Sequence, residues 1–236
     1  MDFAFMQETF WRLLEGVPLT LNLTAASVAL GAAVALLVAL MRMSRIAPLD
    51  WIARAYVFVF RGTPLLVQLF LIYYGFGQFR PTLQEWGLWT FFREPYWCAI
   101  LALTLNTGAY ASEIIRGGLQ AVPAQQVEAA RACGMSRLLL FRRIVFPIAV
   151  RQALPAYGNE IILMVKATSL ASIITMMELT GIAHKLISQS FRAVEVFVVA
   201  GAIYLLLNFV VTRVIMAVEW WLSPHLRRPP AIESPL

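Results

Sequence analysis

The sequence predicts an all-α integral membrane protein of about five transmembrane helices, with a basic helical loop on one face. Three observations carry that expectation. The 236 residues are 60% hydrophobic and 14% charged, with a mean hydropathy of +0.73; a soluble domain carries roughly a quarter charged residues. Apolar runs long enough to cross a bilayer recur along the chain. The arginines gather in alternate inter-helix segments, so the net charge of +6 reads as membrane-flanking arginine rather than a nucleic-acid surface.

The elements follow in order. The opening stretch "MDFAFMQETFWRLLEG" lacks the basic start of a signal peptide. Its Phe3, Met6, Phe10 and Leu14 recur at helical spacing, which predicts a short amphipathic helix over 1–16 on the membrane surface. Residues 17–41 form an uncharged span. Residues 52–76 form a second, with Arg54 interfacial and Arg61 tolerated. The third covers 96–115, the fourth 155–177 and the fifth 197–221. An odd number of spans puts the termini on opposite sides. Arg42, Arg45 and Arg54, the arginines of 116–151, and Arg213, Arg227 and Arg228 fall on one side; Arg12, Arg80, Arg93, Lys185 and Arg192 fall on the other. The positive-inside rule makes the richer side cytoplasmic, with the N-terminus outside and the C-terminus inside. Trp86, Trp89 and Trp97 at one edge, and Trp220 and Trp221 at the other, suit interfacial belts. One transmembrane domain thus fills 1–236, with a loose tail over 223–236. Cys98 and Cys133 lie on different segments with no second ligand cluster, so they read as small packing residues and no metal site is expected.

The stretch "EAARACGMSRLLLFRRIVFP" is the basic exception, and it belongs to a loop over 120–150. Pro123 starts a helix rich in helix formers. Gly134 permits a sharp turn, Ser136 caps a second helix, and Pro147 closes or kinks it. The first arm presents Ala129, Ala130, Ala132 and Cys133, small enough for a partner's backbone to approach, and Glu128 as a directional charge. Such an elbow docks a protein or anchors to anionic lipid.

Polar groups inside a bilayer point to a pathway. They concentrate in three places: "FRGTPLLVQ" with Arg61, Thr63 and Gln68; "LNTGAYASE" with Asn106, Tyr110 and Glu113; and "GNEIILMVKATSL" with Asn159, Glu160, Lys166, Thr168 and Ser169. Gly62 and Pro64 interrupt helix regularity, and such mid-membrane breaks must face protein or a wet cavity. Glu160 suits a cationic substrate group or a structural pair with Arg61 or Lys166. Arg61 contacts substrate or pairs with a carboxylate, and Asn106 and Tyr110 line a site or bond between helices.

The elbow resembles the coupling motif of ABC-importer permeases: EAA, three residues, Gly, nine residues, then I-x-L-P. Glu128, Ala129, Ala130, Gly134, Ile144 and Pro147 match at every position, with Phe146 where Leu is usual. Across nearly the whole chain, "RGTPLLVQLFLIYYG", "TLNTGAYASEIIRGG" and "NEIILMVKATSLASIITMMELTGIA" resemble permease subunits of polar amino acid importers, M-type subunits for arginine, octopine and nopaline in particular. The resemblance implies the type I importer permease fold in a bacterial inner membrane. It implies an ATPase dimer gripping the elbow, a similar Q-type permease subunit, and a periplasmic or lipid-anchored binding protein. It implies a pocket near the membrane centre, onto which Asn159, Glu160, Thr168 and Ser169 are carried. ATP and Mg²⁺ are then used by the partner ATPase; this chain has no phosphate loop. Two other classes fit the sequence less well. An embedded enzyme needs a nucleophile, base or metal set, and no HExxH or Cys–His pair is present. A passive pore or structural membrane subunit explains the spans but leaves the elbow's spacing unexplained.

Overall fold

The computed structural model describes residues 2–222, and every regular element among them is a helix. The tail expected over 223–236 lies outside the described residues. The chain forms α1 (Phe3–Leu14), α2 (Val17–Met43) and α3 (Ala47–Gly62), then α4 (Leu65–Phe70) with a π-helical turn at Leu71–Gly75. Two short helices follow, α5 (Arg80–Glu85) and α6 (Trp89–Phe92), before α7 (Pro95–Gln120). The elbow comprises α8 (Ala124–Ala132), α9 (Arg137–Leu140) and a π-helical turn at Phe141–Val145. Last come α10 (Phe146–Ala167), a 3₁₀ helix at Thr168–Ile174, α11 (Leu179–Ser190) and α12 (Ala193–Leu222). Proline marks many starts, with Pro18, Pro48, Pro81 and Pro95 in first turns, where the missing N–H has no helical partner to lose.

Three helical stretches are long and apolar enough to cross a membrane, and two bent pairs bring the number to five if each pair is one span. The bent pairs correct the expected straight spans. Residues 52–76 are not one helix: α3 and the α4 segment meet at 106°. Pro64 lacks the N–H that would bond Phe60 and forces Thr63 into extended backbone, at φ −116° and ψ 144°. The expected 155–177 span begins much earlier, with Pro155 inside α10, and narrows to 3₁₀ after Ala167. Thr175 then takes φ +70°, a strained value for a β-branched residue, and the chain bends 48° into α11.

That second bend is held by Glu178, which is fully buried. Its Oε1 accepts the Gly181 N–H at 2.8 Å, and its Oε2 accepts the Thr180 N–H and the Tyr204 hydroxyl, each at 3.0 Å. A carboxylate here satisfies the free amides and the dipole at the start of α11. The Thr20 hydroxyl accepts the Leu179 N–H at 3.3 Å and donates to the Gly16 carbonyl at 3.1 Å, tying the α1–α2 joint to the same point. So α1 does not only lie on a surface. Thr9 and Leu13 are buried, and Leu13 packs with Leu179, Leu186, Val196 and Ile203 of α11 and α12. Asp2 caps α1 and receives Arg192 Nη1 at 3.0 Å, and this guanidinium holds its carboxyl below the usual carboxylate range.

The centre is α2 against α7, with α10 packed on α7 and touching α2 as well. Thr20, Thr24, Ser27, Gly31 and Ala35 form the buried stripe of α2, small residues that let membrane helices approach closely. Gly31 faces the Thr107 side chain. At the elbow end, Arg42 of α2 bridges Asp50 and Glu113, each at 3.3 Å, linking α2, α3 and α7. Outward faces stay apolar, as on Leu36, Leu37 and Leu40 of α2 and Leu205 and Val214 of α12, as a bilayer or a neighbouring membrane helix requires.

Close packing yields a sharp test. A Cβ at Gly118 would stand 2.7 Å from the Ala149 carbonyl oxygen and 2.8 Å from Ala153 Cβ, whereas Gly201 has open space. Glycine to alanine in a helix gains up to about 1 kcal/mol where nothing intervenes. Gly201→Ala should therefore hold or raise the melting temperature of the purified protein in detergent, and Gly118→Ala should lower it. Equal melting of the two variants would contradict the α7–α10 contact.

Candidate functional site

A cavity of about 490 Å³ opens between α7 and the end of α10, lined by Asn106, Tyr110, Glu160, Leu163, Met164, Lys166, Ala167, Ser169 and Leu170. The three polar concentrations of the sequence converge here only in part. Asn106, Tyr110, Glu160 and Ser169 meet at one surface. Glu160 is buried, and its Oε1 accepts the Thr107 hydroxyl at 2.9 Å. It makes no ion pair with Arg61 or Lys166, so that structural reading is corrected: a neutral hydroxyl orients the carboxylate, and neither cation is bonded to it. Lys166 is exposed and lines the same cavity. Arg61 is in no ion pair with a carboxylate among the described residues. Its guanidinium lies 5.1 Å from the centroid of the Tyr110 ring, in an adjoining recess of about 370 Å³ that shares Tyr110 with the main cavity. A cation over an aromatic face is stabilised without surrendering its charge.

The other expected lining residues lie elsewhere, for reasons the helix explains. Asn159 is exposed, since the residue before Glu160 points about 100° away around the helix. Thr168 is buried and donates its hydroxyl to the Val165 carbonyl at 2.8 Å. Thr63 and Gln68 are engaged at the break of the second span. Gln68 Nε2 donates to the Phe60 carbonyl at 2.9 Å, the Thr63 carbonyl at 3.1 Å and Thr63 Oγ1 at 2.9 Å. Asn106 Nδ2 donates to Gln68 Oε1 at 3.0 Å and to the Phe60 carbonyl at 3.4 Å. These amides replace the donors that the broken helix has lost.

The elbow stands at the far end of α7. Pro123 caps α8 in extended backbone. Gly134 takes φ +75°, its N–H bonds the Arg131 carbonyl at 2.9 Å, and the Met135 N–H bonds the Ala130 carbonyl at 3.2 Å. This is a Schellman turn, which needs the left-handed conformation that glycine adopts freely. Ser136 accepts the Leu139 N–H at 3.4 Å. Glu128, Ala129, Ala132 and Cys133 are exposed, but Ala130 turns inward at 6% exposure and is no outer docking contact. Ile144 and Pro147 are half-buried. Pro147 does not close the second arm. It sits in the first turn of α10, just after the π-helical turn, and the helix runs through it.

Residues 27–223 match the family of binding-protein-dependent transport system inner membrane components. The chain belongs to this family. It is 60% identical over 227 residues to the nopaline transport system permease protein NocM of Agrobacterium fabrum, covering 96% of this chain and 94% of that one. It is 61% identical over 226 residues to the octopine transport system permease protein OccM of Rhizobium radiobacter, covering 96% and 92%. A solved amino acid ABC transporter with histidines superposes with a TM-score of 0.81 at 36% identity, over 93% of this chain and 98% of that one. The chain is thus a multi-pass permease component of an inner-membrane ABC transport system, not an enzyme, and it works with ATPase and binding-protein components.

Sequence reasoning passed over Thr107 and Glu178. Thr107 lies inside "LNTGAYASE" and follows Asn106 directly, but threonine is common in membrane helices and nothing local marks it as the partner of Glu160. Glu178 precedes "LTG", an acid just ahead of a helix start, and that capping signal was available. The elbow geometry also makes a prediction. Gly134→Ala should weaken the turn by about 1–2 kcal/mol. Hydrogen exchange at the amides of residues 134 and 135 should then accelerate, with Gly134→Asn falling between the two; unchanged exchange in the alanine variant would argue against the left-handed turn.

Proposed function

We propose that this permease carries a cationic amino acid or an arginine-derived opine inward by alternating access through the cavity at Glu160. One observation carries the reading. A buried carboxylate faces a 490 Å³ cavity and is oriented by the Thr107 hydroxyl, with no ion pair to a neighbouring cation. It is therefore a ready partner for a guanidinium or ammonium group, since a buried carboxylate needs a compensating donor or charge. Lys166, on the same wall, is placed to meet the carboxylate of a zwitterionic substrate, with Ser169 and Tyr110 as neutral hydrogen-bonding groups. The nopaline and octopine permeases among the relatives support this substrate class.

In this reading the elbow faces the cytosol, as the arginine distribution favours. Glu128, Ala129, Ala132 and Cys133 form the outer face that an ATPase dimer grips, with Gly134 setting the angle between the arms. ATP and Mg²⁺ belong to that ATPase. A Q-type permease subunit completes the translocation path, and an external binding protein delivers the substrate to the opposite face. Binding in the cavity stays weak enough for release, because a tight site would retain what it should pass on.

Two experiments test the reading in proteoliposomes holding the assembled transporter. Glu160→Gln keeps the shape and the Thr107 contact but removes the charge. A lost charged hydrogen bond is worth about 1.5–3 kcal/mol, so uptake of arginine or nopaline should fall roughly tenfold or more, with assembly intact. Wild-type uptake by this variant would remove Glu160 from the site. Replacing Glu128 and Gly134 together, as Glu128→Ala with Gly134→Val, should reduce co-purification of the ATPase or separate hydrolysis from uptake. Full ATP-driven uptake by that double variant would refute docking at the elbow.

A further inference from the structure

We propose that Asn106 couples occupation of the cavity to the geometry of the break in the second span, with Gln68 as the relay. The inference rests on reading the cavity as a cation site. The chain of contacts begins at backbone that has no choice of role. In a continuous helix the Phe60 carbonyl would accept from residue 64, but Pro64 has no N–H. A carbonyl only accepts, so the groups around Phe60 and Thr63 must donate. This fixes the Gln68 Nε2 toward them, at 2.9 and 3.1 Å, and leaves Gln68 Oε1 to accept from Asn106 Nδ2 at 3.0 Å. Asn106 is then turned with its Nδ2 to the break and its Oδ1 away from it.

Two features make this a relay rather than a fixed cap. First, Gln68 offers two N–H hydrogens to the Phe60 carbonyl, the Thr63 carbonyl and Thr63 Oγ1. Acceptors exceed hydrogens, so Gln68 can shift between Phe60 and Thr63 while Asn106 also serves the Phe60 carbonyl at 3.4 Å. The break can then change partners without leaving either carbonyl unbonded. Secondly, Asn106 is only 9% exposed, lines the cavity, and has an Oδ1 with no hydrogen-bond partner among the described residues. An ammonium or guanidinium in the cavity that donates to Oδ1 polarises the amide and strengthens its N–H bonds on the other side. Those bonds hold Phe60, and Arg61 follows Phe60 in the chain and lies over Tyr110. Cargo in the cavity thus tightens the break and fixes Arg61. Gln68 lies outside the cavity lining, so it is a positioning residue acting through Asn106.

The test reads the break directly, in the assembled permease–ATPase complex in nanodiscs. Gly62 is exposed with open space around its would-be Cβ, so Gly62→Cys in a Cys133→Ser background reports on the break; Cys98 is buried. The labelling rate of residue 62 by a methanethiosulfonate reagent is followed by mass spectrometry, with and without saturating L-arginine, alongside binding of radiolabelled arginine. Arginine should change the labelling rate at least threefold. With Gln68→Met, which keeps the length and loses the amide, arginine should still bind and the change should vanish. Gln68→Glu, which loses the donors and keeps the shape, should do the same and stands in if the methionine variant fails to assemble. Bound arginine with an undiminished rate change in either Gln68 variant overturns the relay and leaves the cation site standing. An absence of arginine binding to the parent complex overturns the cation site and the relay together.

Discussion

Inside a bilayer a backbone carbonyl or amide has no water to turn to, and the rest of this structure depends on how the chain meets that demand where its helices break. At the first break the unmet groups are carbonyls, and the side-chain amides of Gln68 and Asn106 donate to them. At the second they are amides, and the carboxylate of Glu178 accepts from them. The sign of the side chain follows the sign of the exposed helix end. The first set reaches the cavity through Asn106, so the chemistry that permits irregular backbone there also borders the place where polar cargo would pass.

Helix packing supplies the complementary rigidity. The α2 stripe of Thr20, Thr24, Ser27, Gly31 and Ala35 lets α7 approach, and Gly118 and Gly158 let α10 reach α7 and α12. Thr107 belongs to both systems: its side chain packs against Gly31 and its hydroxyl orients Glu160. The arrangement holds the acid on a helix packed against α7 rather than on a loop, and Arg42 clamps the elbow end of α2, α3 and α7.

Much of this was legible in the sequence, and the boundary of legibility is physical. Spans could be read because apolar length is a one-dimensional property. The elbow could be read because Pro123, Gly134 and Ser136 each impose a local conformation that needs no distant partner. The break at residues 62–64 was visible as Gly-Thr-Pro, but not its 106° angle, which depends on what Gln68 and Asn106 reach. Asn159 and Thr168 were grouped with Glu160 by proximity along the chain, and helical rotation then separated them. Thr107 and Glu160 are 53 positions apart, and their contact exists only once α7 and α10 are side by side. The persistence of helix through Pro147 was also hidden, because a π-helical turn widens the backbone just before the ring that would otherwise obstruct it.

That last feature has a mechanical meaning. From Arg137 to Ile174 the chain is helical throughout, so the elbow's second arm and the cavity wall are one member. At about 1.5 Å per residue such a rod exceeds the thickness of the hydrocarbon layer. Tilting it by a few degrees about a mid-membrane pivot swings its two ends in opposite directions by about an ångström or two. Arg137 and Lys166 are joined by continuous helix, so a displacement of one would move the other directly. The irregular points along its length are the π-helical turn and Pro155, and their stiffness sets how nearly the two ends move as one.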